Sequence, residues 1–564
     1  MNSPHHPTIT PALVTRKAVQ RMPRWALIAF CAAYVLPGLF GRDPWKNADI
    51  AAFGQMWSLA LGQASWWAPH VGGVPPTGGG ILPYWLGGSF IAGLSPWLDP
   101  ALAARIPFAG LLVAVLALTW YAAYHLARTD AAQPLPLAFG GEAPPTDYAR
   151  ALADGAVLAL MASLGLLQLG HETTPELLQL TGSALLIYGL AAAAFRPFKA
   201  RLATVASLLI LAASGSPAVA VLLATVGALV CRLSRDEVMN RHFAWVVGAG
   251  LGAMAVSTAL TLAGLSGWQW RLPDSIAIGP TLRLLIWFTW PVLPLAALTV
   301  WSWRRQVLRR HIAVPLFSAW IGLLSCVAMG GNDRALLHAL PPLAVLAAFA
   351  LPALKRGLSS AIDWFSVFFF TLSTIAMWVV YAAMHTGWPV KTAANVSKLV
   401  PGYVAVFSPW ALAVAVLATV AWLALVRWRT ARHRPALWKS LVLPAGGVAL
   451  AWLLLMTLWL PLLDQARSYR LLMERIDNRV PVGSCVLAPG APVGLLTALE
   501  YFGRHEVHGR PGVERQPMRG CDTLLLTLSG RATAPTVPGW NFIGRERQRT
   551  QKSESVAIYR RQTR

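Results

Sequence analysis

Trp25-Ala-Leu-Ile-Ala-Phe-Cys-Ala-Ala-Tyr-Val-Leu-Pro-Gly-Leu-Phe40 runs directly into Gly41-Arg42-Asp43-Pro44-Trp45-Lys46-Asn47-Ala48-Asp49-Ile50. An uncharged apolar stretch, preceded by Arg16, Lys17, Arg21 and Arg24 and followed by two carboxylates, reads as a membrane-crossing helix. Its basic flank is cytoplasmic and its polar end lies outside. Pro37-Gly-Leu-Phe-Gly-Arg42 is a poor match to a small-residue cleavage site, so the helix is read as retained rather than as a signal peptide.

Outward from this segment the same pattern repeats. Apolar runs of bilayer length cover 101–126, 151–170, 175–195, 243–265, 282–303, 312–329, 336–354, 364–384, 404–425 and 441–463. The run 202–230 is interrupted by Gly215-Ser216-Pro217 and is read as two short helices, which gives about thirteen spans in all. With that split, Arg128, Lys199, Arg232, Arg309, Lys355 and Arg427 fall on the side of the basic N-terminus, the asymmetry of a cytoplasmic face. An odd number of spans then puts the C-terminus outside.

Composition agrees. The 564 residues are 56% hydrophobic and only 12% charged, with 26 tryptophans and a formal charge of +24. A soluble domain carries about twice that charged fraction, and a disordered chain would be far less apolar. The basic residues are too dilute, and too regularly placed between apolar runs, for a nucleic-acid binder.

The polar segment after Asp464 holds short β-like runs at Cys485-Val-Leu-Ala, Thr523-Leu-Leu-Leu-Thr-Leu and Val556-Ala-Ile-Tyr, with a helix-like run over 493–502. The predicted organisation is a cytoplasmic tail (1–24), an all-α multi-span membrane domain (25–463) whose first outer loop covers 41–100, and a periplasmic α/β domain (464–564). Cys485 and Cys521 both lie in that outer domain, where a disulfide and two free thiols are equal alternatives. No Cys or His spacing resembles a zinc site.

Carboxylates are scarce, and those at a membrane face are candidates for function because burying them is costly. Seven fall on the predicted outer side: Asp43, Asp49, Asp99, Glu172, Glu176, Asp274 and Asp333. The first outer loop is the densest segment. After Asp49 an amphipathic run over 50–62, followed by Trp66-Trp67-Ala-Pro-His70, predicts a helix lying along the membrane surface. Gly78-Gly79-Gly80-Ile81-Leu-Pro-Tyr84-Trp85-Leu86 is a glycine turn leading into aromatics, where a ligand can approach the backbone. Asp49 reads as a helix cap or surface residue as readily as a site residue, and Glu172 and Glu176 as early helix acids. Asp333 with Arg334 reads equally as a local ion pair, Arg105 as an anchor for the second span against an acidic partner, and the loop 268–274 as a lid or a plain connection.

The order of a first span, an Asp43…Ala48-Asp49-Ile50 segment, an interfacial helix, a Pro/Gly loop ending in Tyr84-Trp85-Leu86, and then Ala103-Ala-Arg105-Ile-Pro resembles the GT-C superfamily of membrane glycosyltransferases. The similar group contains the bacterial lipid A 4-amino-4-deoxy-L-arabinose transferases and the protein O-mannosyltransferases. Asp333-Arg334-Ala-Leu-Leu-His338-Ala-Leu-Pro341-Pro is similar to that group's Arg-x-x-Leu-x-Pro-x-x-Pro span. The resemblance implies a GT-C fold and a glycosyltransferase at the outer face of the inner membrane. Its donor is a hexose or pentose on a polyprenyl phosphate; its acceptor is a glycolipid such as lipid A, a glycan or a protein.

The resemblance also implies site roles. Asp43 is the catalytic carboxylate, Glu172 or Glu176 supplies a second acidic group, and Arg334 stabilises the leaving phosphate; Lys46, His70, Asp49 and Tyr84 are further substrate-binding candidates. No cofactor follows with certainty, and a divalent cation stays open. Two departures stand out. Gly78-Gly79-Gly80-Ile81 replaces a Glu-Lys-Pro-Pro segment, removing the lysine expected near the donor phosphate, and Pro44 replaces the acid usually paired with the first Asp. The rival readings are a transporter or flippase of lipid-linked saccharides, which broken mid-membrane helices and buried charges would mark, and a non-catalytic assembly or sensor protein.

Overall fold

A computed structural model of the chain describes residues 10–78, 80–136, 141–234, 237–265, 277–431, 436–513, 520–529, 532–547 and 554–562. Gly79 and the loop 268–274 with Asp274 lie outside these. Helices occupy every predicted span. Among the described residues six are long and apolar enough to cross a membrane by themselves, or up to eight when each of two bent pairs counts as one span. The chain has an all-α polytopic membrane fold carrying a small sheet at its C-terminal end.

Proline places many of the helix boundaries. Pro100, Pro145, Pro175, Pro197, Pro217 and Pro409 each open a helix, where the missing N–H is not needed. Asp99 caps the Pro100–Ala127 helix, accepting from the Ala101 and Leu102 N–H groups at 2.9 and 3.2 Å. The predicted break at Gly215-Ser216-Pro217 separates the helices Pro197–Ala213 and Pro217–Leu233, with Gly215 at φ +87°.

Three predicted spans are not continuous. The run 282–303 is two helices, Ile278–Phe288 and Val292–Ser302, bent by 88° where Pro291 cannot donate to the ladder. The run 441–463 bends by 71° between Lys439–Leu455 and Leu460–Arg467, ahead of Pro461. The run 151–170 is divided at Ser163, whose extended backbone ends the helix Pro145–Ala162. Apolar composition shows that a segment is buried in lipid or protein, but not that its axis is straight.

The centre of the bundle is the helix Leu340–Ala350, every residue of which is buried, packed against Pro145–Ala162 and Val292–Ser302. Arg356–Thr386 and Pro409–Thr430 are its opposite: Trp364, Phe368, Leu372, Trp410 and Leu417 are exposed, the composition of helices that face lipid. Residues 10–23 are more than a loose tail. Val14, Val19 and Met22 are buried, Arg16 N–H donates to Gly141 O at 2.9 Å, and Arg21 pairs with Asp147 at 2.6 Å.

At the opposite end lies a five-stranded sheet of β1 (Cys485–Leu487), β2 (Glu506–His508), β3 (Thr523–Ser529), β4 (Trp540–Arg547) and β5 (Glu554–Arg561), in the order β2-β1-β3-β5-β4. β1 runs parallel to β2 and β3, and β5 runs antiparallel to β3 and β4. The helix Val493–Tyr501 connects β1 to β2. Sequence reading missed β2, which has three residues, and β4, an edge strand too rich in arginine to show an apolar alternation. Cys485 and Cys521 are joined in a disulfide with their Cα atoms 4.6 Å apart.

The sheet domain sits on the first outer loop. The helix Ala48–Ala60 is not an open surface helix: Ile50, Phe53, Met56 and Leu59 are buried between Leu82–Leu94 on one side and Val493–Tyr501 on the other. A side chain at Gly54 would collide with Thr497, so the two helices meet where one has none. The Gly509 N–H donates to Gly72 O at 2.8 Å, Arg510 Nε to Gly73 O at 3.0 Å, and the Gly72 N–H to Glu500 Oε1 at 3.1 Å. The other carboxylate oxygen of Glu500 is buried without a partner.

Burial pushes the Glu500 carboxyl up to about 7, with the Gly72 N–H opposing. Folding therefore favours its protonated form. That contribution is full below the unfolded value near 4.5 and is lost as pH rises through about 7. Raising the pH from about 5 to about 8 should weaken the fold by at most roughly 3 kcal/mol through this group. Thermal unfolding of wild type and Glu500→Gln at both pH values checks it: the variant should lose this part of the pH dependence, and parallel slopes would exclude the assignment.

Candidate active site

The described carboxylates of the predicted outer set lie at the sheet-bearing end, and four of them, Asp43, Asp49, Glu172 and Glu176, fall in two linked groups. Asp43 follows the turn after the helix Arg24–Val35. Its Oδ1 accepts from Arg470 Nη2 at 2.5 Å, and its Oδ2 from Arg470 Nε at 3.0 Å and from Ser468 Oγ at 2.8 Å. This fork lies partly in solvent, the arginine side chain being 56% exposed and the carboxylate 17%. Trp45 Nε1 donates to Asp464 at 2.7 Å, and the Lys46 N–H to Arg467 O at 3.0 Å, so the loop is fastened to the segment that leads into the sheet domain. The Lys46 ammonium lies over the Tyr469 ring, 5.2 Å from its centroid.

Asp49 is wholly buried. Its Oδ1 accepts from both the N–H and the hydroxyl of Thr173 at 2.8 Å, and its Oδ2 from the Trp45 N–H at 3.1 Å and from Arg42 Nη2 at 3.5 Å. Burial alone would raise this carboxyl. The Arg42 and Arg105 charges and the two N–H donors outweigh it and hold Asp49 below the usual carboxylate range.

Thr173 carries the link onward. Its neighbour Glu172 accepts from Gln168 Nε2 at 2.8 Å and from Arg334 Nη2 at 2.5 Å. Burial pushes the Glu172 carboxyl up, with Arg334 opposing. Arg334 also reaches Thr174 Oγ1 at 3.3 Å and Glu176 at 3.6 Å. Both acids left as alternatives therefore contact this one guanidinium, Glu172 more closely. Arg334 pairs across to Glu172, not with its neighbour Asp333, while Asn332 caps its helix turn.

Arg334 lines an open cavity of ≈ 540 Å³ together with Gly78, Glu176, Gln179, Ser216 and His338. Two sequence features meet to form it. The glycine loop docks on the helix break, the Gly80 N–H donating to Leu265 O at 2.8 Å and the Ile81 N–H to Ala213 O at 3.0 Å. Gly80 has φ +74°, and a Cβ there would run into the Ser214 and Gly215 backbone. Gln179 ties the break down, donating to Ser214 O at 2.7 Å and accepting from Ser216 Oγ at 3.1 Å. His338 Nδ1 is 2.8 Å from Ser183 Oγ. The Arg334 guanidinium and the His338 imidazole in this lining are donors of the kind that hold an oxyanion, while the Gln179 amide and the Ser216 hydroxyl are engaged at the break.

Tyr84 is buried within reach of the Glu176 charge. Asp43, Lys46 and His70 are not among the residues lining this cavity. His70 lies beneath the sheet domain with its Nδ1 buried and unpartnered, and burial and then Arg510 depress its pKa. Sequence reading did not single out Gln179, Ser216, Ser468 or Arg470. The Gly215-Ser216-Pro217 break was the signal available for the first two. Nothing local points to Arg470, which lies 427 residues from Asp43. Among the described residues the convergent set of metal-ligand types is Cys485, His508 and Cys521, and its two thiols are already joined to each other.

No family model matches the sequence, and no curated protein matches it. Solved structures do. ArnT from Cupriavidus metallidurans bound to undecaprenyl phosphate superposes with a TM-score of 0.61 at 14% identity, over 95% of this chain and 97% of that one. The same protein in the apo state gives 0.59 at 14% identity, over 95% and 96%. The chain shares the fold of that protein across nearly its whole length, the architecture that the motif resemblance implied.

The two aspartates should separate in a stability experiment. Asp49→Ala leaves Arg42 buried without its counter-charge and should cost about 3–5 kcal/mol. Asp43→Asn opens a half-exposed pair and should cost less than about 1 kcal/mol. Thermal unfolding of the detergent-solubilised variants reads both, and equal losses would contradict these assignments.

Proposed function

We propose that this chain is a glycosyltransferase of the inner membrane that moves a sugar from a polyprenyl-phosphate donor to an acceptor hydroxyl on the outer side, with its N-terminus cytoplasmic and its C-terminus periplasmic. The observation that carries the reading is the Arg334 cavity, joined through Glu172, Thr173 and Asp49 to the loop that presents Asp43. The fold is also that of a protein whose crystal structure holds undecaprenyl phosphate.

In this reading the acceptor oxygen attacks the anomeric carbon, the bond from that carbon to the phosphate oxygen breaks, and the acceptor proton passes to Asp43. The leaving phosphate carries a growing negative charge, which Arg334 and His338 meet from the cavity wall. Glu172 fixes the guanidinium of Arg334, Glu176 lines the wall beside it, and Tyr84 is buried within reach of the Glu176 charge. Arg334 and His338 take the place of the lysine that the Gly78–Ile81 loop lacks. Arg470 and Ser468 hold the Asp43 carboxylate in one orientation, and an incoming hydroxyl must share or displace these donors. Lys46 and His70 serve the loop's attachment more than the donor.

The transport reading draws on the 88° break between Ile278–Phe288 and Val292–Ser302. That break lines a cavity of ≈ 710 Å³ with Trp287, Phe365 and Phe369 and no charged residue among those described. A saccharide path would need polar groups along the break.

Asp43→Asn, expressed in a deletion strain at wild-type level and with unchanged thermal unfolding, should lower transfer about 10²–10⁴-fold. Mass spectrometry of envelope glycolipids and glycoproteins supplies the readout: the sugar mass missing in the deletion strain should return with wild type and not with the variant. Full restoration by Asp43→Asn would overturn the role of Asp43. Transport in liposomes without any transfer chemistry would overturn the enzyme.

A further inference from the structure

Beneath the Asp43 loop lie two arginines that the transfer reading does not use. Arg105 is 5% exposed and Arg42 3%. Arg42 Nη2 donates to His171 O at 2.7 Å, but its Nε and Nη1 are buried with no acceptor. Among the described residues none accepts a hydrogen bond from Arg105. Asp49, the carboxylate whose charge it feels most, already accepts from Thr173 twice, from Trp45 and from Arg42, which fills both oxygens. Both His171 ring nitrogens lie against backbone carbonyl oxygens, those of Leu167 and Tyr34. Buried guanidinium donors without acceptors are costly, and phosphate oxygens suit their planar fork.

Arg105 does not point into packed protein. It lines a separate narrow crevice with Gly38, Leu39, Ala109 and His171. It stands five residues into the helix Pro100–Ala127, roughly 7 Å from its start. Asp99, the cap of that helix, contacts Tyr501 of the sheet domain, which puts the crevice at the outer end of a membrane-crossing helix. Leu36 and Phe40, on the turn that forms one side, are exposed apolar residues. The crevice is thus cationic at its floor and apolar at its rim, at the depth where lipid headgroups meet acyl chains.

We infer that this crevice binds the phosphate of an anionic membrane glycerophospholipid, with Arg105 as its donor and the acyl chains lying along Leu36 and Phe40. The site is separate from the Arg334 cavity, and the inference holds whether or not the chain transfers a sugar.

Native mass spectrometry of the full-length protein in neutral detergent tests it, with phosphatidylglycerol, phosphatidylcholine and inorganic phosphate added in turn. Wild type should retain phosphatidylglycerol about tenfold more tightly than phosphatidylcholine, and inorganic phosphate should not displace it. Arg105→Gln should abolish the preference. Ala109→Trp, which fills the crevice and leaves every charge in place, should abolish it too, and it decides the matter if Arg105→Gln does not fold. Equal retention of the two lipids by wild type, or an unchanged preference in Ala109→Trp, overturns the inference. Binding of inorganic phosphate without phosphatidylglycerol overturns the lipid as its source.

Discussion

The buried carboxylate of Asp49 is the constraint on which the rest of the site depends. One charge deep in the protein gathers the Thr173 N–H and hydroxyl, the Trp45 N–H and the Arg42 guanidinium, groups from two separate stretches of chain. A carboxylate that accepts so many donors favours its ionised form, and the donors in turn lose the option of turning elsewhere. The Asp43 loop is held on one side by Trp45. The turn that carries Glu172 and Glu176 is held on the other by Thr173. The distance between the proposed base and the Arg334 cavity is therefore fixed by a residue that touches neither reactant.

The sheet domain does the same work from outside. Arg470 and Ser468 grip Asp43, Asp464 grips Trp45, and Arg467 donates to Gln168, which supports Glu172. The helix Val493–Tyr501 covers Ala48–Ala60 and removes its apolar face from solvent. Membrane helices supply a rigid wall, and a soluble domain pins the loop that faces it. The glycine loop closes the remaining side because Gly80 can follow a backbone path in contact with Ser214 that a side chain would block.

Much of this was legible in the sequence. The spans follow from apolar length, because a helix alone can satisfy its backbone groups inside a bilayer. The break at Gly215-Ser216-Pro217 was readable from its residues, as was the helix over 493–502. The acidic set was readable because carboxylates are so scarce. Other features were not. The bends near Pro291 and Pro461 sit inside runs whose composition is as apolar as that of a straight helix. The run after Asp49 has the pattern of a surface helix, and only its neighbours show that its apolar face is covered.

The sequence by itself determined which segments are helices, where the chain breaks between them, and which few carboxylates were available for chemistry, since backbone satisfaction in lipid and the cost of a buried charge are local rules. Tertiary structure alone decided the partners. Asp43 meets Arg470 and not Lys46, Asp49 meets Thr173, and Arg334 meets Glu172 across the bundle and not the adjacent Asp333. A charge interacts with whatever packing brings within a few ångströms, and packing is set by how whole helices cross, which no local pattern of residues records.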